Sequence, residues 1–234
     1  MASALALRAD VWSAHALGSM PLEVCATGER LLDAELPGGG WPLGALIEIL
    51  QPPGVHNEWR LLLPALVHSG HGPVVLVGAP HLPFAPALAA QGLPAQRLLR
   101  VQVGPAAQRL WAAEQALCCA DVDAVLAWLP QARSAQLRRL HMAASGHGKL
   151  LFVMRPEAAQ QEASPAPLRL HLQPQPQPQP GAVAADALQL HIFKRRGPPL
   201  DAALRLPARS ARLRLLLALA PHDALDCTPA AAAA

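Results

Sequence analysis

With 234 residues, 52% of them hydrophobic and 15% charged, the chain can bury a sizeable core and carries too little charge for a disordered segment. A formal charge of +3 is slight for a protein that lives on phosphate backbones, so the composition permits nucleic-acid contact and does not demand it. The four cysteines, Cys25, Cys118, Cys119 and Cys227, have no CxxC spacing; that excludes the common zinc motifs and reads as small buried hydrophobes in a reducing compartment.

Residues 1–26 read as a short helix and an extended lead, separate from a core over residues 27–200. The start, MASALALRADVW, is interrupted by Arg8 and Asp10, where a signal peptide is continuously apolar. No run reaches the roughly 20 apolar residues of a spanning helix. The expectation is therefore a cytoplasmic chain with no membrane partner.

A turn cluster, Pro37 to Gly40 with Pro42 and Gly44, leads into Ala45–Leu50, a run with the length and flanks of a buried strand. The loop 51–57 follows, then Glu58–His68 with helical periodicity. Strand, loop and helix in that order are the setting of a phosphate-binding loop, GxxxxGK[ST]. That loop needs glycines so that backbone N–H groups can wrap the phosphates, a lysine for their oxygens and a hydroxyl for magnesium. On that pattern Gln51 takes the first glycine, His56 the second, Asn57 the lysine and Glu58 the hydroxyl; Gly54 is the one glycine left inside. A carboxylate at the last position repels phosphate, so no nucleotide cofactor and no metal are expected.

Val74–Gly78 is a second strand, predicted to lie parallel beside the first because a helix joins the two. Phe84–Ala90 reads as a short helix, Arg97–Val103 as a third strand and Ala106–Ala120 as a helix with Leu110, Trp111, Ala113 and Leu117 at helical spacing. VDAVLAWLP is a buried strand, and Ser134–Ala144 a helix carrying Arg138 and Arg139, which suit either phosphate or partner contact or a solvated face. KLLFVMRP is a further strand that brings Arg155 to the carboxyl edge of the sheet, where α/β folds place ligands.

PLRLHL and ALQLHIFK alternate and pair as an antiparallel hairpin around the QPQPQPQP tract of residues 173–180, whose prolines cannot join a ladder. Lys194, Arg195 and Arg196 form the densest basic cluster, suited to phosphate or an acidic partner, or merely a solvated strand end. Residues 201–234 form an extension in which RLRLLLALA is strand or helix, expected to pack on the core; the alanine tail is expected to be disordered. The fold class is α/β: a mostly parallel sheet with helices on both faces and a C-terminal antiparallel hairpin.

The run TGERLLDAELPGGGWPLGALIEIL resembles the RecA-family segment that precedes and includes the Walker A strand. With the degenerate loop and EWRLLLPAL, it is similar to the ImuA family, RecA-like accessory proteins of bacterial mutagenic translesion synthesis. SulA-type division inhibitors are a sister group. The resemblance implies a RecA-like P-loop core with Pro80 in place of the water-activating glutamate, His81 beside it, and Trp128 in place of the Walker B aspartate, Asp123 lying too early in its strand. It thus implies no ATP hydrolysis, hence no enzyme. The partners it implies are an ImuB-type inactive Y-family polymerase, an error-prone C-family polymerase and RecA itself. Two alternatives stand beside it: a SulA-like inhibitor of the bacterial tubulin homologue, and a residual single-stranded-DNA binder using Arg155 and Lys194 to Arg196.

Overall fold

A computed structural model describes residues 23–173, 187–198, 200, 202–207, 209 and 211–219. The expectations for the lead before residue 23, for the proline tract after Gln173 and for the tail after Leu219 lie outside the described residues.

The described chain opens with strand β1 (Val24–Cys25), helix α1 (Arg30–Glu35) and strand β2 (Trp41–Pro42), which pairs antiparallel with β1. The turn into α1 is fixed by Asp33 Oδ1, which accepts the Thr27 N–H at 2.8 Å. Two glycines of the PGGGWPLG turn are steric requirements. A methyl at Gly40 would stand 2.4 Å from the Cys25 carbonyl oxygen. Gly44, at φ +65°, has the Ser145 backbone 3.3 Å from where its Cβ would sit.

Strand β3 (Ala45–Gln51) is buried along its length and leads through the loop into helix α2 (Glu58–His68). Then come β4 (Val74–Val77), α3 (Ala85–Ala90), β5 (Leu98–Val101), α4 (Ala106–Cys118), β6 (Ala124–Trp128), α5 (Ser134–His147) and β7 (Leu150–Pro156). A 3-10 turn over Glu157–Gln161 precedes the hairpin β8 (Leu168–Gln173) and β9 (Ala187–Lys194), followed by β10 (Leu204–Pro207) and α6 (Ala211–Leu219). The eight-stranded sheet has the order β10-β9-β8-β3-β7-β6-β4-β5. Its strands from β8 to β5 are parallel, while β9 and β10 are antiparallel additions. The expected α/β architecture with a C-terminal antiparallel hairpin is present.

Successive residues of β3 serve opposite faces. Ile47 and Ile49 join Phe152 and Met154 of β7 and Leu61, Leu62 and Leu66 of α2 in one core; Leu46 joins Val153, Val125 and the helices α4 and α5 in the other. Both faces of the sheet are thereby covered, as parallel strands require. Among the described residues, no helix is long and apolar enough to cross a membrane.

Two expectations are corrected and one strand is added. β4 does not lie beside β3: β7 and β6 stand between them. β7 matches β3 over seven residue pairs, Ala45↔Leu150 to Gln51↔Pro156, a longer ladder than the four residues of β4 can supply. The sheet also gains β10, whose Leu206 is buried against β9. Finally, the leucine-rich run is a helix, but Leu215, Leu216, Leu217 and Leu219 are exposed rather than packed on the core. Leucines on consecutive positions cannot all face one side of a helix. One tie of α6 to the core is polar: Arg212 Nε donates to the Ala90 carbonyl at 3.0 Å.

Candidate functional site

The loop between β3 and α2 is held by its own side chains. Gln51, buried at the end of β3, accepts the Asn57 N–H on Oε1 at 2.8 Å and donates from Nε2 to Glu58 Oε2 at 2.9 Å. In a phosphate-binding loop the backbone N–H groups at this turn face the ligand. Here the Asn57 N–H is already satisfied from within. Glu58 places a buried carboxylate at the first turn of α2, where a helix would otherwise attract an anion. His56 Nδ1 lies 3.7 Å from Glu58 Oε1, and its ring meets the His81 ring edge-on at 4.7 Å between centroids. Gly54, at φ +75°, turns the loop, and a Cβ added there would meet nothing within 4 Å. Of the five loop residues singled out in the sequence, Gln51, His56, Asn57 and Glu58 are thus brought together in a closed knot, with His81 added, and Gly54 supplies the turn outside it.

Around this knot, at the carboxyl edge of the sheet, lies a shallow cleft of about 280 Å³ lined by Pro52, Pro53, Pro80, Arg109, Trp128 and Arg155 among others. Trp128 ends β6 with 8% exposure. An indole there offers no oxygen to a metal ion. Asp123, at the other end of that strand, is engaged structurally: its Oδ2 accepts the Gly72 N–H at 2.7 Å and pairs with Arg97 at 3.1 Å. No cluster of metal-ligating side chains is present among the described residues.

Arg155 is not available at that edge for phosphate or partner. Its side chain is 1% exposed and bonds Glu48 Oε1 at 3.1 Å, the Ala132 carbonyl at 2.9 Å and Glu162 at 2.6 Å. Glu48 also pairs with Arg169 Nε at 2.5 Å, and Arg169 reaches the Ala159 carbonyl at 2.7 Å and lies over the Phe193 ring. Glu48 and Arg169 escaped the sequence reading. The signal was present: a lone carboxylate inside ALIEILQ can be buried only if cations meet it.

The basic residues divide by what they already hold. Arg139 pairs with Glu114 across α4 and α5, whereas Arg138 is exposed. Lys194 Nζ donates to the Ser164 carbonyl at 2.9 Å, and partial burial, together with the nearby Arg169 guanidinium, holds its pKa below the ordinary lysine value. Arg195 NH1 bonds the carboxylate of Glu35 at 3.0 Å and its carbonyl as well, at the end of α1. Arg196 is exposed and, among the described residues, has no hydrogen-bond or ion-pair partner. Of the three clustered cations, Arg196 is the one without a partner among the described residues.

No family model matches the chain. It is similar to the cell division inhibitor SulA of Edwardsiella piscicida, at 27% identity over 127 residues that make up 52% of this chain and 67% of that one. It is similar to the protein ImuA of Caulobacter vibrioides (strain NA1000 / CB15N), at 31% identity over 155 residues, 62% of this chain and 63% of the relative. The alignments thus span about two thirds of these relatives' lengths. Among solved structures, the crystal structure of the RadB recombinase matches with a TM-score of 0.59 over 80% of this chain and 97% of that chain, at 17% identity. That likeness assigns the fold.

Proposed function

We propose that this chain, a RecA-like protein related to both ImuA and SulA, is a non-catalytic accessory protein of a DNA-damage-inducible mutagenic translesion synthesis complex. The observation that carries the reading is the self-satisfied loop. Gln51 occupies the Asn57 N–H and Glu58 charges the helix start, so the fold keeps the frame of a nucleotide-binding core while its binding turn serves the protein's own side chains. A core in this state is useful as a surface. We assign that surface to residues 27–200, with 1–26 as a lead and 201–234 as an extension, in the cytoplasm.

The partners in this reading are a polymerase-like protein of the inactive Y-family type, an error-prone C-family polymerase and RecA. The contact residues are Arg138 and Arg196, with Arg139, Lys194 and Arg195 contributing from beside them. The test is co-purification of the tagged chain from damage-induced cells. Recovery of both polymerase-type proteins is the expected result. Recovery of the division tubulin with neither polymerase overturns the reading and supports division inhibition, the alternative favoured by the similarity to SulA. For direct DNA binding the discriminating observation is an affinity that falls steeply with salt; Arg155, buried in its ion pairs, takes no part in it.

A further inference from the structure

The turn PGGGWPLG does more than start β3. Its residues wall a pocket of about 360 Å³ at the amino end of the sheet, the edge opposite the degenerate loop. Leu36, Pro37 and Leu43 give it an apolar floor, with the start of β8 at Pro167 and Leu168 opposite. Its polar side chains are Arg195, Arg196, His141 and Ser145, which bring donors and no carboxylate. Arg196 is exposed and without a partner among the described residues. Arg195 is half-committed to Glu35. The ring of His141 lines the same space, and its Nδ1 accepts the Leu46 N–H at 3.0 Å. That bond leaves the neutral ring's proton on Nε2, as a donor. The Glu35 carboxylate, which meets this cluster, is already paired with Arg195.

We propose that this pocket docks a segment of a protein partner in which a carboxylate side chain stands beside aliphatic residues, the carboxylate meeting Arg196 and the aliphatic groups covering the leucine and proline floor. The charge of the site selects the acid. An apolar concavity bounded by the Arg196 guanidinium, with Arg195 beside it, is complementary to an acidic, leucine-bearing peptide and mismatched to a basic one. Its depth favours side chains over a flat surface contact. This inference rests on the accessory-protein reading, which supplies a protein partner, and it names the chemistry of that partner at one site.

The experiment uses the full chain labelled with ¹⁵N, titrated with acetyl-Leu-Glu-Leu-Leu-amide, with the same peptide carrying Gln for Glu, and with a twenty-nucleotide oligo-dT. The expected result is that the Glu peptide moves the backbone amides of Gly40, Gly44 and Ser145. The Gln peptide should bind about fivefold more weakly, the loss of one partly exposed charge pair. Arg196→Glu, at an exposed position that leaves the fold intact, should abolish the shifts and Arg196→Ala should weaken them. Three results overturn the proposal: no movement of those amides, equal movement with the Gln peptide, or movement unchanged in Arg196→Glu. Movement by oligo-dT with none by the Glu peptide also overturns it, in favour of phosphate. Partner capture from cells separates the two levels of inference. If Arg196→Glu still captures the polymerase-type proteins, the pocket assignment fails and the accessory role stands; if the unaltered chain captures none, the accessory role itself fails.

Discussion

Glu48 and Arg155 sit on adjacent parallel strands, 107 residues apart in sequence, and their charged groups meet at 3.1 Å with side-chain exposures of 0% and 1%. With Arg169 on the other neighbouring strand, they form a cation–anion–cation row that ties β7, β3 and β8 together. Such a row is costly to break and cheap to replace entire, because desolvation opposes the Coulomb attraction. Glu48→Ala takes from two buried guanidinium groups the carboxylate they share, leaving the half-exposed Glu162 as Arg155's remaining carboxylate and backbone carbonyls as Arg169's hydrogen-bond acceptors, and should lose about 3–5 kcal/mol. Replacing all three by Leu, Met and Met should change stability much less. Urea midpoints at unchanged slope would report both; a mild effect of Glu48→Ala would mean that the row is solvated.

The glycine turn predicts a contrast. Gly40→Ala pushes a methyl to 2.4 Å from the Cys25 carbonyl, a backbone obstacle that cannot rotate away, and should cost at least about 2 kcal/mol. Gly54→Ala meets nothing within 4 Å and suffers only from its φ of +75°, a penalty of about 1–2 kcal/mol. Thermal unfolding of the two variants should rank them in that order.

The nucleotide loop predicts a negative result that restoring the lysine alone does not reverse. Calorimetry with magnesium–ATP should give no binding heat for the unaltered chain. Asn57→Lys should give none either, since Gln51 still occupies the backbone N–H of residue 57 and Glu58 still repels the phosphates. ATP binding by Asn57→Lys alone would show that the Gln51 bond yields to ligand. Integrity of the variant is checked by its unchanged circular dichroism.

Local features of this fold were legible because they are local. The bounds of α2, Glu58 to His68, follow from periodicity between a turn cluster and the Ser69–Pro73 break. The fully buried strands follow from runs such as AVLAW and VVLV, and the hairpin β8–β9 from its alternation. Strand order was not legible, because it depends on which ladders are longest once all strands exist, and β3 matches β7 over seven pairs. The fate of a basic residue was equally hidden. Arg155 and Arg196 both follow apolar strands, and only the arrival of Glu48 from 107 residues away and of Glu35, 160 residues from Arg195, decides which guanidinium groups are engaged. The tail misled because seven leucines and alanines in nine residues signal burial by composition while their spacing denies it.

His141 supplies a pH dependence whose sign follows from one hydrogen bond. The Leu46 N–H stands one residue before the β3–β8 ladder begins at Ile47, and His141 Nδ1 accepts it in place of a strand partner. Protonating the ring puts a hydrogen on Nδ1 and breaks that bond, and burial also disfavours the charge, so the folded-state pKa lies below the ordinary 6.5. The unfolded chain therefore takes up the proton first. The stability due to this residue is complete above about pH 6.5 and declines as the pH falls below it, until the folded ring protonates as well. His141→Asn keeps an acceptor near Nδ1 and has nothing to titrate, so its stability relative to the unaltered chain should improve from pH 7 to pH 5. His141→Ala leaves the Leu46 N–H unpaired and should lose about 1–2 kcal/mol at pH 7. Urea denaturation of the three proteins at both pH values measures these differences. A relative stability of His141→Asn that is flat with pH, or that worsens toward pH 5, would place the proton on this ring in the folded state and remove the acceptor role.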